Sequence, residues 1–96
     1  MRIINSKVEI MVNPLPKWLF KRYCLLWVKL KDREFTHNQA VKILPDNKQM
    51  VSLILSEIRK AGWLEMRLDP KDARKRLYRL KSPEYMIKEI AKGVGK

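Results

Sequence analysis

The chain has 96 residues, enough for one compact domain, and carries 22 Lys and Arg against 10 Asp and Glu, a formal net charge of +12. That excess favours a polyanionic partner and leaves DNA, RNA and an anionic surface in play. A single cysteine, Cys24, excludes an internal disulfide, and a single histidine, His37, excludes a Cys/His zinc site.

In chain order, residues 1–13 form an extension in which Val8, Ile10 and Val12 alternate with Glu9 and Met11. This pattern predicts a strand over 7–12. Asn13-Pro14-Leu15-Pro16 then interrupts regular structure. No secretory signal is visible, so a cytoplasmic protein is the expectation. The most apolar stretch, Trp18 to Leu30, contains Lys21, Arg22 and Lys29, which is too short and too charged to span a bilayer.

A first helix is predicted from about Pro16 to Lys31, since proline is tolerated in a first turn. Phe20, Tyr23, Trp27 and Leu30 share one face at helical spacing. Leu19, Leu26 and Val28 widen the apolar surface. Such a helix needs more cover than two short helices and a hairpin supply. We therefore expect a homodimer interface on Leu19, Tyr23, Leu26, Trp27 and Leu30, the alternative being that the N-terminal strand covers the excess. Cys24 falls inside this helix and reads as an inert, buried thiol.

The second helix starts at Thr36, with Gln39 at the capping-box position. Ala40, Ile43 and Leu44 form its inner stripe, and Pro45 ends it. A third helix is expected to start with Asp46 as cap and Gln49 in the box position. Met50, Leu53, Ile54, Ile58 and Ala61 are expected to face inward, and Gly62 to stop it. Two capped helices joined by a short turn form a helix-turn-helix pattern.

The strands Trp63–Leu68 and Arg74–Leu80 flank the turn residues Asp69-Pro70-Lys71-Asp72. Ser82, Pro83 and Glu84 then begin a short helix running to about Lys92. Residues 93–96 read as a frayed tail. The fold class is thus mainly α with a small β-hairpin: one winged helix-turn-helix domain over 1–96. It comprises a three-helix core, a two-stranded wing and a short C-terminal helix.

The chemistry is expected in two places. With the apolar stripe inward, the third helix presents Asn47, Lys48, Gln49, Ser52, Ser56 and Arg59. Amide side chains pair with adenine edges and cations with guanine. A helix in the major groove reads mainly with its N-terminal half, which favours Lys48, Gln49 and Ser52 for bases and Ser56 and Arg59 for the flanks. The wing carries Arg67, Lys71, Arg74, Lys75, Arg76, Arg79 and Lys81 against Asp69 and Asp72. Charge this dense repels itself unless phosphates neutralise it. His37, just after a helix cap, is placed to face solvent or a phosphate. Trp63 is expected to pack the wing root onto the core. No Gly-rich phosphate loop and no nucleophile–base arrangement supports catalysis, and no cofactor or metal is implied.

The run Gly62-Trp63-Leu64-Glu65-Met66-Arg67-Leu68-Asp69-Pro70-Lys71-Asp72-Ala73-Arg74 resembles the wing of MarR-type transcriptional regulators, and Val51-Ser52 resembles their recognition helix. The resemblance covers about residues 35–84. It implies that Arg74 reaches DNA and that Asp72 holds it. The chain departs from the pattern in its single short C-terminal helix, in the little sequence before Pro16, and in Met66 and Leu68, where basic residues are common. Sequence-specific binding of double-stranded DNA is the function expected. The alternative is an RNA-binding or protein-docking winged helix, or a domain of a longer protein.

Overall fold

The computed structural model describes residues 13–94. In chain order the elements are α1 (Lys17–Leu30), α2 (His37–Ile43), α3 (Lys48–Lys60), β1 (Leu64–Asp69), β2 (Asp72–Leu80) and α4 (Pro83–Val94). The strand predicted over 7–12 lies outside the described residues. β1 and β2 form an antiparallel hairpin, with Leu64 opposite Leu80 and Leu68 opposite Arg76. The register shifts between Leu68 and Asp69, a bulge that bends the ribbon close to its tip. Phe35, ahead of α2, adds a single bridge to Tyr78, exchanging two 2.8 Å backbone bonds.

Local chemistry sets most boundaries. Thr36 and Gln39 form the expected capping box: the Thr36 hydroxyl accepts from the Gln39 N–H, and the Gln39 side chain accepts from the Thr36 N–H. Gly62, at φ 92°, ends α3 in a left-handed conformation. Its N–H donates to the Arg59 carbonyl, and the next N–H, of Trp63, reaches back to Ile58. These are the two bonds of a Schellman stop, and a side chain at that φ would strain it. Ser82 caps α4 through a 3.1 Å bond from the Tyr85 N–H.

The α3 start differs from the expectation. Asn47, not Asp46, is the N-cap, and its side-chain oxygen accepts from the Met50 N–H at 2.8 Å. Asp46 is instead engaged by Arg22 of α1, whose Nε and Nη2 reach the two carboxylate oxygens at 3.1 and 3.0 Å. This bidentate pair straps α1 to the turn between α2 and α3. Its hydrogen bond also holds the Arg22 guanidinium above its ordinary value.

The core gathers Leu19, Tyr23, Leu26 and Leu30 of α1, then Phe35, Ala40 and Leu44. It continues through Val51, Ile54, Leu55 and Ile58 of α3 and closes with Trp63, Leu64, Leu80 and Met86. The inner face of α1 therefore differs from the predicted one. Leu19 and Leu26 go inside, while Phe20 is exposed and Trp27 half-buried. Four of the five residues expected at a homodimer interface (Leu19, Tyr23, Leu26 and Leu30) are core of the single chain, and Trp27 packs against it. They are not free to meet a partner. The outward apolar residues of α1 are Trp18, Phe20, Leu25 and Val28.

Trp63 occupies the wing root as expected. Its ring meets Tyr23 edge-on at 4.9 Å, and its Nε1–H donates to the Asn13 carbonyl at 2.7 Å. The Tyr23 hydroxyl donates to the Lys81 carbonyl, and burial raises its pKa far above the ordinary phenol value. The hairpin is thereby tied at its base to α1 and to the N-terminal segment, which fixes its angle to α3.

Candidate nucleic-acid interface

The phase of α3 decides what the surface offers. Val51, Ile54, Leu55 and Ile58 are buried, whereas Met50 and Leu53, expected inside, are 36% and 45% exposed. Lys48, Gln49, Ser52, Ser56 and Arg59 are all exposed, as predicted. Asn47 is exposed too, but its oxygen is occupied by the cap. The change of cap releases Gln49 from box duty, so its amide is available to a ligand.

Along its regularly paired part the wing is a two-faced ribbon, because successive strand residues point to opposite sides, and the register shift near the tip leaves residues 73–75 outside that alternation. Met66 and Leu68 lie opposite Tyr78 and Arg76, and Met66, Tyr78 and Arg76 line the side toward α3. An open groove results. Its helix wall is Ser52, Ser56 and Arg59, its wing wall is Met66, Tyr78, Arg74, Lys75 and Arg76, and its end is closed by Thr36, His37 and Asn38 of α2. His37 and Ser52 meet across that end, Nε2 to Oγ at 2.9 Å. His37 is therefore tied to α3 rather than simply facing solvent. The contact orients the hydroxyl of one proposed reading residue and was not visible from the sequence, since the pair is 15 residues apart.

At the hairpin tip the aspartates shape the backbone. The Asp69 carboxylate accepts from the Lys71 N–H at 2.9 Å and the Asp72 carboxylate from the Arg74 N–H at 3.1 Å. Asp72 also lies 3.5 Å from the Arg74 Nε, while the Arg74 side chain is 92% exposed. The arginine thus projects into solvent with Asp72 beside its Nε. Lys71, Lys75 and Arg76 are exposed beside it.

Arg67 does not join this group. It sits on the opposite side of the ribbon, where Glu34 takes both its Nε and its Nη2, the latter at 2.9 Å. That hydrogen bond holds the Glu34 carboxyl below the usual carboxylate range and the Arg67 guanidinium above its own. Glu65, on the same side, lies 3.7 Å from Arg79 and 3.8 Å from Lys81. On the back of the wing Arg67, Arg79 and Lys81 thus each have a carboxylate partner, whereas among the described residues Lys71, Lys75 and Arg76 of the tip and groove have none and Arg74 has only Asp72. Met66 and Tyr78, which sequence reasoning left out, supply the apolar floor of the groove.

Among the described residues no group of three or more His, Cys, Asp or Glu is arranged to hold a metal ion, and no helix is long and apolar enough to cross a membrane.

No protein-family model matches the chain. Part of the Type I restriction enzyme MjaVIII methylase subunit of Methanocaldococcus jannaschii is 38% identical over 69 residues, spanning 72% of this chain and 12% of that protein. Among solved structures, wild-type MarR of E. coli in its apo form superposes with a TM-score of 0.58 at 22% identity. That match covers 76% of this chain and 52% of MarR. A cysteine-to-serine mutant of E. coli MarR complexed with operator DNA gives 0.57 at 19% identity, covering 84% of this chain and 59% of that one. The chain therefore spans little more than half of those regulators and about an eighth of the methylase subunit. Among the described residues, four helices and a two-stranded antiparallel wing, arranged as in these proteins, give the chain the winged-helix fold of the MarR-type regulators.

Proposed function

We propose that this chain binds double-stranded DNA with sequence preference, as a winged-helix transcriptional regulator. α3 enters the major groove, and the tip of the wing lies on the backbone or in the adjacent minor groove. The observation that carries this reading is the sorting of charge on the wing. Back-face cations are paired with Glu34 and Glu65, while Arg74, Lys75 and Arg76 border the groove beside the polar face of α3. Lys48, Gln49 and Ser52 are the base-reading candidates, and Ser56 and Arg59 flank them. Lys71, Arg74, Lys75 and Arg76 meet phosphates, and Asp72 holds Arg74. Double-stranded RNA fits this shape less well, because its major groove is deep and narrow.

The likeness to a segment of a methylase subunit supports a second reading, in which the same interface serves as a DNA-recognition module of a longer protein. In-vitro selection of DNA sites at two salt concentrations tests both. A selected site with steep salt dependence supports DNA recognition. A palindromic site bound by two chains marks a dimeric regulator, and a single site bound by one chain marks a module. Binding no stronger than to a neutral polymer at physiological salt would sink both readings.

A further inference from the structure

The outermost ridge of α3 runs through Gln49, Leu53, Ser56 and Lys60. With about 100° between successive residues, it lies opposite the buried Val51, Ile54, Leu55 and Ile58. Leu53 sits in the middle of that ridge. It is 45% exposed and lies outside the buried core cluster. Met50, one turn earlier, adds a second exposed apolar side chain. A lone exposed leucine on a protein surface needs no explanation. A leucine in the middle of the outermost ridge of α3, beside the Ser52, Ser56 and Arg59 wall of the cationic groove, is a different matter, because anything that α3 enters must cover it.

We infer that Leu53 is a specificity-determining residue that reads the 5-methyl group of a thymine in the major groove. This rests on the proposal that α3 occupies that groove. The base edges exposed there are donors and acceptors, apart from the thymine methyl group. Pressing Leu53 onto an amino group or a carbonyl oxygen would strip that group of water and return no hydrogen bond. A thymine methyl turns the same contact into apolar burial. Gln49 and Ser56, at i−4 and i+3, are placed to hydrogen-bond the neighbouring bases. The preference would therefore fall on one base pair inside the recognised site.

The test starts from a site obtained by selection. Each thymine is replaced in turn by deoxyuridine, which keeps the hydrogen-bonding edge and removes only the methyl group. Affinity is read by fluorescence anisotropy at fixed salt. One position is expected to weaken wild-type binding by roughly fourfold, the loss anticipated for one buried carbon. Leu53→Ala should bind the thymine and deoxyuridine forms of that position equally, and its own selected sites should lose the thymine there. Unchanged thermal unfolding of Leu53→Ala would confirm that the surface substitution leaves the fold intact. The inference is overturned if no thymine methyl matters to the wild type, or if Leu53→Ala keeps the full penalty; specific DNA binding would survive either result. Absence of specific binding in the wild type would instead remove the DNA reading, and this one with it.

Discussion

Both faces of the wing carry cations, and they differ in how those cations are paired. On the back face, Arg67 is paired with Glu34, and Arg79 and Lys81 share Glu65. On the tip and groove face, Asp72 accepts from the Arg74 N–H and lies 3.5 Å from its Nε, and among the described residues no ion pair engages Lys75 or Arg76. A net charge of +12 does not distinguish these surfaces. The difference between them shows that a count of cations is a poor guide to an interface. What matters is which cations the fold leaves without an anion, and on which side. Unpaired like charges cost the free protein stability, and that cost is recovered when phosphates neutralise them.

The strongest way to break this contrast is to neutralise the tip. Replacing Arg74, Lys75 and Arg76 together by alanine should lower DNA affinity on the order of a hundredfold at moderate salt. The salt slope should flatten by about 0.9 for each phosphate that the protein no longer neutralises. Thermal stability should hold or rise, because mutual repulsion is relieved. Titrations over a salt series combined with melting curves give both readouts. A loss of stability that parallels the loss of binding would mean the tip cations serve the fold instead.

Single substitutions sharpen the contrast. Arg74→Ala should cost roughly tenfold in affinity, in the range expected for one arginine at a nucleic-acid contact. Asp72→Ala should weaken binding less and by another route. It frees the Arg74 side chain and removes the carboxylate that accepts the Arg74 N–H, so the arginine must be ordered on binding. Combining the two should add little beyond Arg74→Ala alone, since Asp72 acts through that arginine. Full additivity would separate the two residues.

How much of this was legible in the sequence depended on distance along the chain. The Thr36–Gln39 box, the Gly62 stop, the Ser82 cap and the Asp69–Asp72 turn came out as expected, because each is settled by residues within a few positions of one another. The faces of α1 and α3 did not. Both helices carry apolar residues at more than one helical phase, and only packing against the other elements selects Leu19 over Phe20 and Val51 over Met50. The α3 cap falls on Asn47 and not on the expected Asp46, because two adjacent residues can both cap. Arg22, 24 residues before Asp46, claims one of them. Arg67 looked like its neighbours in the wing until Glu34, 33 residues earlier, was brought beside it. Local signals define the elements, and long-range ion pairs decide which cations remain for a ligand.

The back face offers the converse experiment. Arg67→Ala and Arg79→Ala should change DNA affinity by less than about twofold, as expected for charges already compensated and turned away from the groove. Both should lower the melting temperature slightly. A large loss of binding from Arg67→Ala would place that side of the ribbon against the ligand and remove the distinction between the faces.

The smallest effect is a pH dependence of stability that the Glu34–Arg67 pair on the back face brings. Glu34 is held below the usual carboxylate range, first by its hydrogen bond from Arg67 and then by the charges of Arg67 and Arg79. A carboxyl whose folded pKa is depressed binds fewer protons in the folded state than in the unfolded one. Its contribution to stability is therefore complete above the unfolded value, near about 4.3, and is lost as pH falls through the lower folded value. Melting temperatures of wild type and Glu34→Gln should differ at neutral pH and converge in strong acid. Because the pair is partly exposed, the gap should also shrink as salt is raised. Glu34→Gln releases the Arg67 guanidinium on the side of the wing away from α3. DNA affinity at neutral pH should then stay within about twofold of wild type, because a cation freed there gains no phosphate within reach. A clear rise in affinity would show that the back of the wing also lies along the backbone and that Glu34 masks a contact there.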